Sequence, residues 1–230
     1  MTLSALICGE RSGAFREAFR ARGWFAVSCD LEPSDVGAPH MLMDWREAIP
    51  MRSWDLIIIH FVCTALSVSG NHAYAAGKPR HQERLEAARS VEADWQLVLR
   101  HCRHAVAENP VGVIPTLTSL GKPSQIVQPF QFGHDASKAT GLWLHNLPRI
   151  KPTRHIPGRQ VEWPRCSGQY VARWANQTDS GQNRLTPDRP GEEGRRAKER
   201  AATYPGIAAA GAAVWGEFVE RLAAQRGRAA

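Results

Sequence analysis

The chain has 230 residues, 43% of them hydrophobic and eight of them tryptophan, enough to bury one sizeable core with a small appendage but not two full domains. Its 29 Lys and Arg against 22 Asp and Glu leave a net charge of +7, which suits a polyanionic partner because each cation that neutralises a phosphate releases a counterion, although an Arg- and Ala-rich composition reaches such a charge without one. No apolar run approaches the roughly 18–20 residues of a membrane span, and Met1-Thr2-Leu3-Ser4-Ala5 shows no secretory pattern, so a cytoplasmic chain without a membrane partner is expected.

Ser4-Ala5-Leu6-Ile7-Cys8 reads as a short buried strand that runs into the turn Gly9-Glu10-Arg11-Ser12-Gly13. A helix is expected from Ala14 to Arg22, with Phe15, Ala18 and Phe19 on its inner face, Arg16 and Arg20 outside, and Gly23 as its stop. Trp24 to Cys29 forms a second strand ending on Asp30, and Asp55 to His60 a third, apolar on both faces like a central parallel strand. After a polar stretch over residues 69–82, a long helix is predicted from Glu83 to Arg103; Leu85, Ala88, Val91, Trp95, Val98, Leu99 and Cys102 mark its buried stripe. Ala105 to Glu108 is the next strand, which Asn109-Pro110 is expected to break at once, and short strands follow at Gln125 to Phe130 and Thr140 to Leu144.

Strands joined by helical crossovers imply an α/β fold, a doubly wound and mostly parallel sheet with helices on both faces, over residues 1–150. Residues 151–202, rich in Pro, Gly, Arg, Asn and Gln and holding the charged run Glu192 to Arg200, predict a loop-rich, mobile insertion. Residues 203–226 return to order as a helix from Gly206 to Gln225 that packs back on the core through Ile207, Ala210, Val214, Phe218, Val219 and Leu222.

Five cysteines, an odd number with no Cys-x-x-Cys, argue against a disulfide framework and against a structural metal site. The turn Gly9 to Gly13 is neither a P-loop nor a G-x-G-x-x-G fingerprint. Its glycines still let a ligand approach the backbone at a helix N-terminus. Asp30, ending the next strand, is placed to hold the two hydroxyls of a ribose or to cap a turn. Asp44, one segment on, is a candidate for an adenine amino group. Cys63 follows the strongest strand, and ligands in open α/β sheets bind beyond the carboxyl ends of the strands. That position makes it a candidate nucleophile, although a cysteine taken at random is more often a core residue. Glu108-Asn109, at the end of the following strand, are placed to read the edge of a small planar ligand. Cys63 and Glu108 come together if their two strands are neighbours.

Together these residues resemble the cytosine-5 DNA methyltransferase family, and more closely its short phage and bacterial members. That family places a Pro-Cys loop after its fourth strand and Glu-Asn after its fifth; Cys63 and Glu108-Asn109 match them. The segments Gln128-Pro129-Phe130-Gln131-Phe132-Gly133-His134, Ser137-Lys138-Ala139-Thr140 and Thr203-Tyr204-Pro205-Gly206-Ile207-Ala208 are similar to stretches of the short members. The resemblance covers about residues 3–148 and 200–216.

The resemblance implies a class I, Rossmann-like, S-adenosylmethionine-dependent methyltransferase acting on DNA, with the target cytosine flipped out or single-stranded. Cys63, Glu108 and Asn109 would be catalytic. Cys8, Glu10, Ser12, Gly13, Asp30, Leu31, Asp44 and His60 would line the cofactor, and Ser69, Asn71, His134 and Lys138 would meet nucleic acid. In the chemistry so implied, the Cys63 thiolate attacks carbon 6 of cytosine, Glu108 holds N3, and carbon 5 takes the methyl group. Two departures stand out. Phe61-Val62 replaces the proline-containing pair before the nucleophile, and a loop-rich stretch replaces a large target-recognition domain. They leave two further readings open: a catalytically degenerate relative that binds DNA or cofactor, and an enzyme of the same chemistry acting on a nucleotide or a modified base.

Overall fold

The structure, a computed structural model, describes residues 2–183 and 202–229. In chain order it places β1 at Ser4–Cys8, α1 at Ala14–Arg20, β2 at Phe25–Asp30, β3 at His40–Leu42, α2 at Trp45–Ala48, β4 at Leu56–His60, α3 at Asn71–Tyr74 and α4 at His81–His101. There follow β5 at Ala105–Pro110, α5 at Ile114–Leu117, β6 at Gln125–Val127, β7 at Thr140–His145, β8 at Arg159–Glu162, β9 at Tyr170–Arg173 and α6 at Pro205–Ala229.

Seven strands make one sheet in the order β3-β2-β1-β4-β5-β7-β6. Neighbours from β3 through β5 are parallel, and β7 alone runs against them, antiparallel to both β5 and β6. The fold is therefore mixed α/β with a mostly parallel central sheet, compatible with a Rossmann-like architecture. The short edge strand β3 has too few residues to show a pattern in the sequence. β5 continues through Asn109 and Pro110 instead of breaking there, because β7 supplies a partner for both, with Asn109 opposite Gly141 and Pro110 opposite Thr140.

Alternation along each strand sorts the core into two layers. Ala5, Ile7, Leu56 and Ile58 face the layer built with α1 and α6, whereas Leu6, Cys8, Ile57 and Ile59 face the layer built with α4. Covering both faces is why these strands read as unbroken apolar runs. On the α6 side, the fully buried Trp215 stacks on Phe15 with centroids 5.8 Å apart, and its indole N–H donates to the Pro148 carbonyl at 3.0 Å.

Arg16 corrects the expectation that it lies outside. It is fully buried, and its Nη1 donates to Ser28 Oγ at 2.8 Å, the Gly37 carbonyl at 2.9 Å and the Pro39 carbonyl at 3.1 Å. Helical periodicity separates apolar from polar positions, but it cannot show that the polar β2–β3 loop folds over that flank of α1.

The described part of the insertion is less loop-like than its composition predicts. It carries the antiparallel pair β8–β9, and Trp174 beyond it stacks on Phe130 at 4.0 Å. Asn176 Nδ2 donates to the Ser137 carbonyl at 2.8 Å, fastening the stretch to the segment before β7. Residues 184–201, with the charged run Glu192 to Arg200, lie outside the described residues.

Trp215→Ala removes the largest fully buried side chain among the described residues and is expected to cost about 3–5 kcal/mol in denaturant unfolding. A loss below about 1 kcal/mol would contradict the docking of α6 on α1.

Candidate active site

The chain runs outward from β1 to β2 and β3, then returns to the other side of β1 as β4. In such a sheet the reversal opens a crevice at the carboxyl ends of the two central strands. Gly9 leaves β1 there with φ +69°, and a Cβ on it would sit 2.5 Å from the His60 carbonyl oxygen. Only glycine suits both the conformation and the approach.

β4 and β5 are hydrogen-bonded neighbours with His60 opposite Glu108 in the register. Cys63 lies three residues beyond His60 and is half-buried. Its carbonyl accepts the amides of Leu66 at 3.1 Å and Ser67 at 2.9 Å, which curls the loop back on itself. The loop is then tied to the segment that follows Glu108-Asn109. Val68 N–H donates to the Val111 carbonyl at 3.2 Å, and Val113 N–H to the Leu66 carbonyl at 2.9 Å. Gly112 sits so close to the Leu66 carbonyl that any side chain there would collide with it.

From the other side the buried Arg84 of α4 donates from Nε to the Ala65 carbonyl at 2.7 Å and from Nη1 to Asn71 Oδ1 at 2.9 Å. Phe61 is buried in the α4-side core, and Val62 is exposed. The Cys63 loop is thus held by packing on one flank and by tethers on two others.

Glu108 accepts from His60 Nδ1 at Oε2, 3.0 Å away, with both side chains about nine-tenths buried. Burial works against the His60 charge, but the Glu108 hydrogen bond and charge, with Glu10 behind, hold the imidazole above its ordinary value. Burial likewise works against the Glu108 charge, yet His60, Lys138 and the Thr140 hydroxyl pull its carboxyl below the usual value. The two directions agree on an imidazolium–carboxylate pair. His60 Nε2 is buried without a partner, and its ring lies 5.7 Å from that of Phe15. His60, expected to line a cofactor, is thereby engaged by Glu108.

Other expected site residues fall differently. Adjacent residues of a strand point to opposite faces, so Asn109 does not share the face of Glu108. Its side chain is fully buried, Nδ2 donates to the Pro110 carbonyl at 2.8 Å, and Oδ1 is buried without a partner. Cys8 is fully buried in the α4-side core, where burial pushes its thiol well up. Glu10 is 2% exposed and accepts the amides of Phe15 at 2.6 Å and Arg16 at 3.1 Å. The start of α1 is therefore capped by a carboxylate from within, and burial keeps that carboxyl above its usual value. Ser12 Oγ accepts the Ala14 amide at 3.4 Å, and Gly13 is left-handed with φ +73° and Val36 packed against it.

Asp30 ends β2 half-buried, with Oδ1 on the Glu32 amide at 3.0 Å, beside Leu31, which is 69% exposed. Asp44 is spent on structure: Oδ1 caps α2 through the Arg46 amide at 2.8 Å, and Oδ2 pairs with the Arg46 guanidinium at 3.0 Å.

Ser69 is exposed and hydrogen-bonded to Ser67, and Asn71 accepts from Arg84. His134 is a structural clasp, since its Nε2 accepts the Gly206 amide at 2.9 Å at the start of α6. Lys138 reaches the Ala202 carbonyl at 3.3 Å and carries its charge toward Glu108 and His60.

Arg84 and Thr140 are the residues that sequence reasoning missed. Arg84 extends the buried stripe of Ala88, Val91, Trp95 and Val98 at helical spacing, and a charge on that stripe was the available signal. No family model matches the chain, and no curated protein sequence does either.

Gly112→Ala is expected to cost about 1–3 kcal/mol in thermal or denaturant unfolding, because the Leu66 backbone must move, and to increase protease sensitivity in the Cys63 loop. The ion pair predicts a pH signature. His60, held above its ordinary 6.5, contributes stability that is complete below that value and is lost as pH rises through its folded value. Glu108, held below 4.5, contributes stability that is lost as pH falls through its folded value. The stability difference between wild type and His60→Gln should therefore shrink as pH is raised above neutrality. A difference independent of pH would contradict the pair.

Proposed function

We propose that this chain is an S-adenosylmethionine-dependent DNA cytosine-5 methyltransferase with Cys63 as its nucleophile. The reading is carried by one juxtaposition, a half-buried cysteine in the loop after β4 with a buried, ionised glutamate opposite the end of that strand on β5. A pyrimidine bound beyond these strand ends would meet a sulfur nucleophile and a carboxylate at once. The Cys63 thiolate adds to carbon 6 and Glu108 holds N3, which takes up a proton. Carbon 5, now nucleophilic, gains the methyl group; solvent water, as base, takes the carbon 5 proton, and the electron pair so released expels sulfur as thiolate and restores the aromatic ring and the enzyme. A cytosine within a duplex must leave the stack to reach these residues.

The crevice fits the cofactor in part. Asp30 and the exposed Leu31 at the end of β2 suit ribose hydroxyls and an adenine face. Glu10 already takes the α1 amides where an anion would sit, which leaves that helix start unsuited to a phosphate and open to an uncharged or cationic group. When bound, S-adenosylmethionine supplies an electrophilic methyl group. Asp44, occupied by Arg46, is left out of this reading.

Incubation with S-adenosylmethionine and DNA containing 5-fluorocytosine should trap a covalent complex stable to denaturing electrophoresis, since the fluorine cannot leave as a proton does. Cys63→Ser should abolish it, and Glu108→Gln should slow methyl transfer to ordinary DNA about 10²–10⁴-fold. Absence of any trapped complex with the wild type would sink the reading, and transfer to free dCMP but not to DNA would replace it with a nucleotide-modifying one. Asp30→Ala should weaken S-adenosylmethionine binding about tenfold or more by calorimetry, as expected for a lost hydrogen bond to a charged group. Unchanged affinity would remove Asp30 from the cofactor site.

A further inference from the structure

A glutamate that must bring a proton to N3 cannot do so alone if it rests as a carboxylate, and Glu108 rests as one. The groups that face it are few. Thr140 offers a hydroxyl, which is too weak an acid. Lys138 is committed at Nζ to the Ala202 carbonyl at 3.3 Å and acts on Glu108 through its charge. Glu10 faces His60, not Glu108, and is bonded to the amides of Phe15 and Arg16. His60 is different: its Nδ1 is 3.0 Å from Glu108 Oε2, inside the protein.

We propose that His60 is the proton store of this site, a positioning residue whose Nδ1 proton passes to Glu108 as Glu108 delivers a proton to cytosine N3. The proposal rests on the methyltransferase reading and assigns His60 to proton transfer, not to the cofactor. The step balances. The Cys63 sulfur lone pair forms the bond to carbon 6, and the ring π electrons shift toward N3. N3 then takes a proton from one oxygen of Glu108, while the other oxygen takes the Nδ1 proton. One proton has moved from imidazolium to N3, Glu108 is a carboxylate again, and the charges of thiolate and imidazolium have both disappeared. When sulfur leaves, the proton returns along the same path. Burial and the Lys138 charge oppose the resting imidazolium, but the Glu108 hydrogen bond and the Glu108 and Glu10 charges outweigh them and hold the ring above its ordinary value, so the pair favours the filled store. No net charge is created in the buried site during the attack, which a low-dielectric setting favours.

The test has two arms. Two-bond ¹H–¹⁵N spectra of the wild-type protein should show the His60 ring doubly protonated at neutral pH, and Glu108→Gln should lower its titration. A neutral His60 ring in the wild type overturns the proposal whatever reaction the chain performs. In the second arm, His60→Gln keeps a hydrogen bond to Glu108 but has no proton to give. Its kcat should fall about 10²-fold or more, with DNA and S-adenosylmethionine affinities near those of the wild type. The alkaline limb of the wild-type pH profile, where His60 loses its proton, should be absent. A His60→Gln enzyme with wild-type kcat and pH profile overturns the proposal while leaving the methyltransferase reading intact. A wild type that neither traps 5-fluorocytosine DNA nor transfers methyl groups overturns both, and the ring spectra then still report whether the ion pair exists.

Discussion

The rest of the candidate site depends on the parallel pairing of β4 with β5, which sets His60 directly opposite Glu108. Parallel strands present their carboxyl ends to the same edge, so two loops that leave neighbouring strands must start side by side. The 45 positions that separate Cys63 from Glu108 in sequence become irrelevant to their placement. The 3.0 Å hydrogen bond between His60 and Glu108 follows from the register, and the buried charges tolerate their setting because each is the other's partner.

Buried arginines hold the loops around that edge. Arg84 reaches from α4 into the Cys63 loop, and Arg16 reaches from α1 into the β2–β3 loop, each through bonds to backbone carbonyls. Five donors in a fixed fork let one side chain satisfy several carbonyls that irregular backbone would otherwise leave unpaired. Each arginine also leaves Nη2 buried without a partner, a cost of about 1–3 kcal/mol per group that the surrounding bonds must exceed. Close backbone approaches complete the arrangement. Gly9 lets the ends of β1 and β4 meet, and Gly112 lets the chain after β5 lie on the Cys63 loop. Phe61 is anchored in the core, and the loop that follows it is fixed from α4 and from the segment after β5.

Particular residues show what was legible. The runs at β1, β2 and β4 were visible because strands covered on both faces are mostly apolar, with Ser28 of β2 buried against Arg16, and α4 was visible through the spacing of Ala88, Val91, Trp95 and Val98. β3 was not visible, since three edge residues carry no period. Asn109-Pro110 looked like a break because proline lacks a donor, yet it could end β5 once β7 came alongside. At the site, Cys63 and Glu108 were selected by their positions after strands. Asp44, one segment beyond Asp30, and His134, chosen through the family resemblance, are taken up by the fold: Asp44 by the nearby Arg46, and His134 by the amide of Gly206, 72 residues away. The second kind of partner is one that no local pattern shows.

By itself the sequence determined the order of the principal elements β1, α1, β2, β4, α4, β5, β7 and α6, the two-sided burial of the central strands and the position of Cys63 and Glu108 after strands. These follow from hydrophobic periodicity and turn chemistry, which act over a few residues. Only the tertiary structure decided that β4 and β5 are neighbours, that β7 runs against them and extends β5 through Asn109 and Pro110, and that His60 and Glu108 form one ion pair. Each of these depends on strand pairing and register, and register is set by contacts between residues far apart in the chain, where no local pattern reaches.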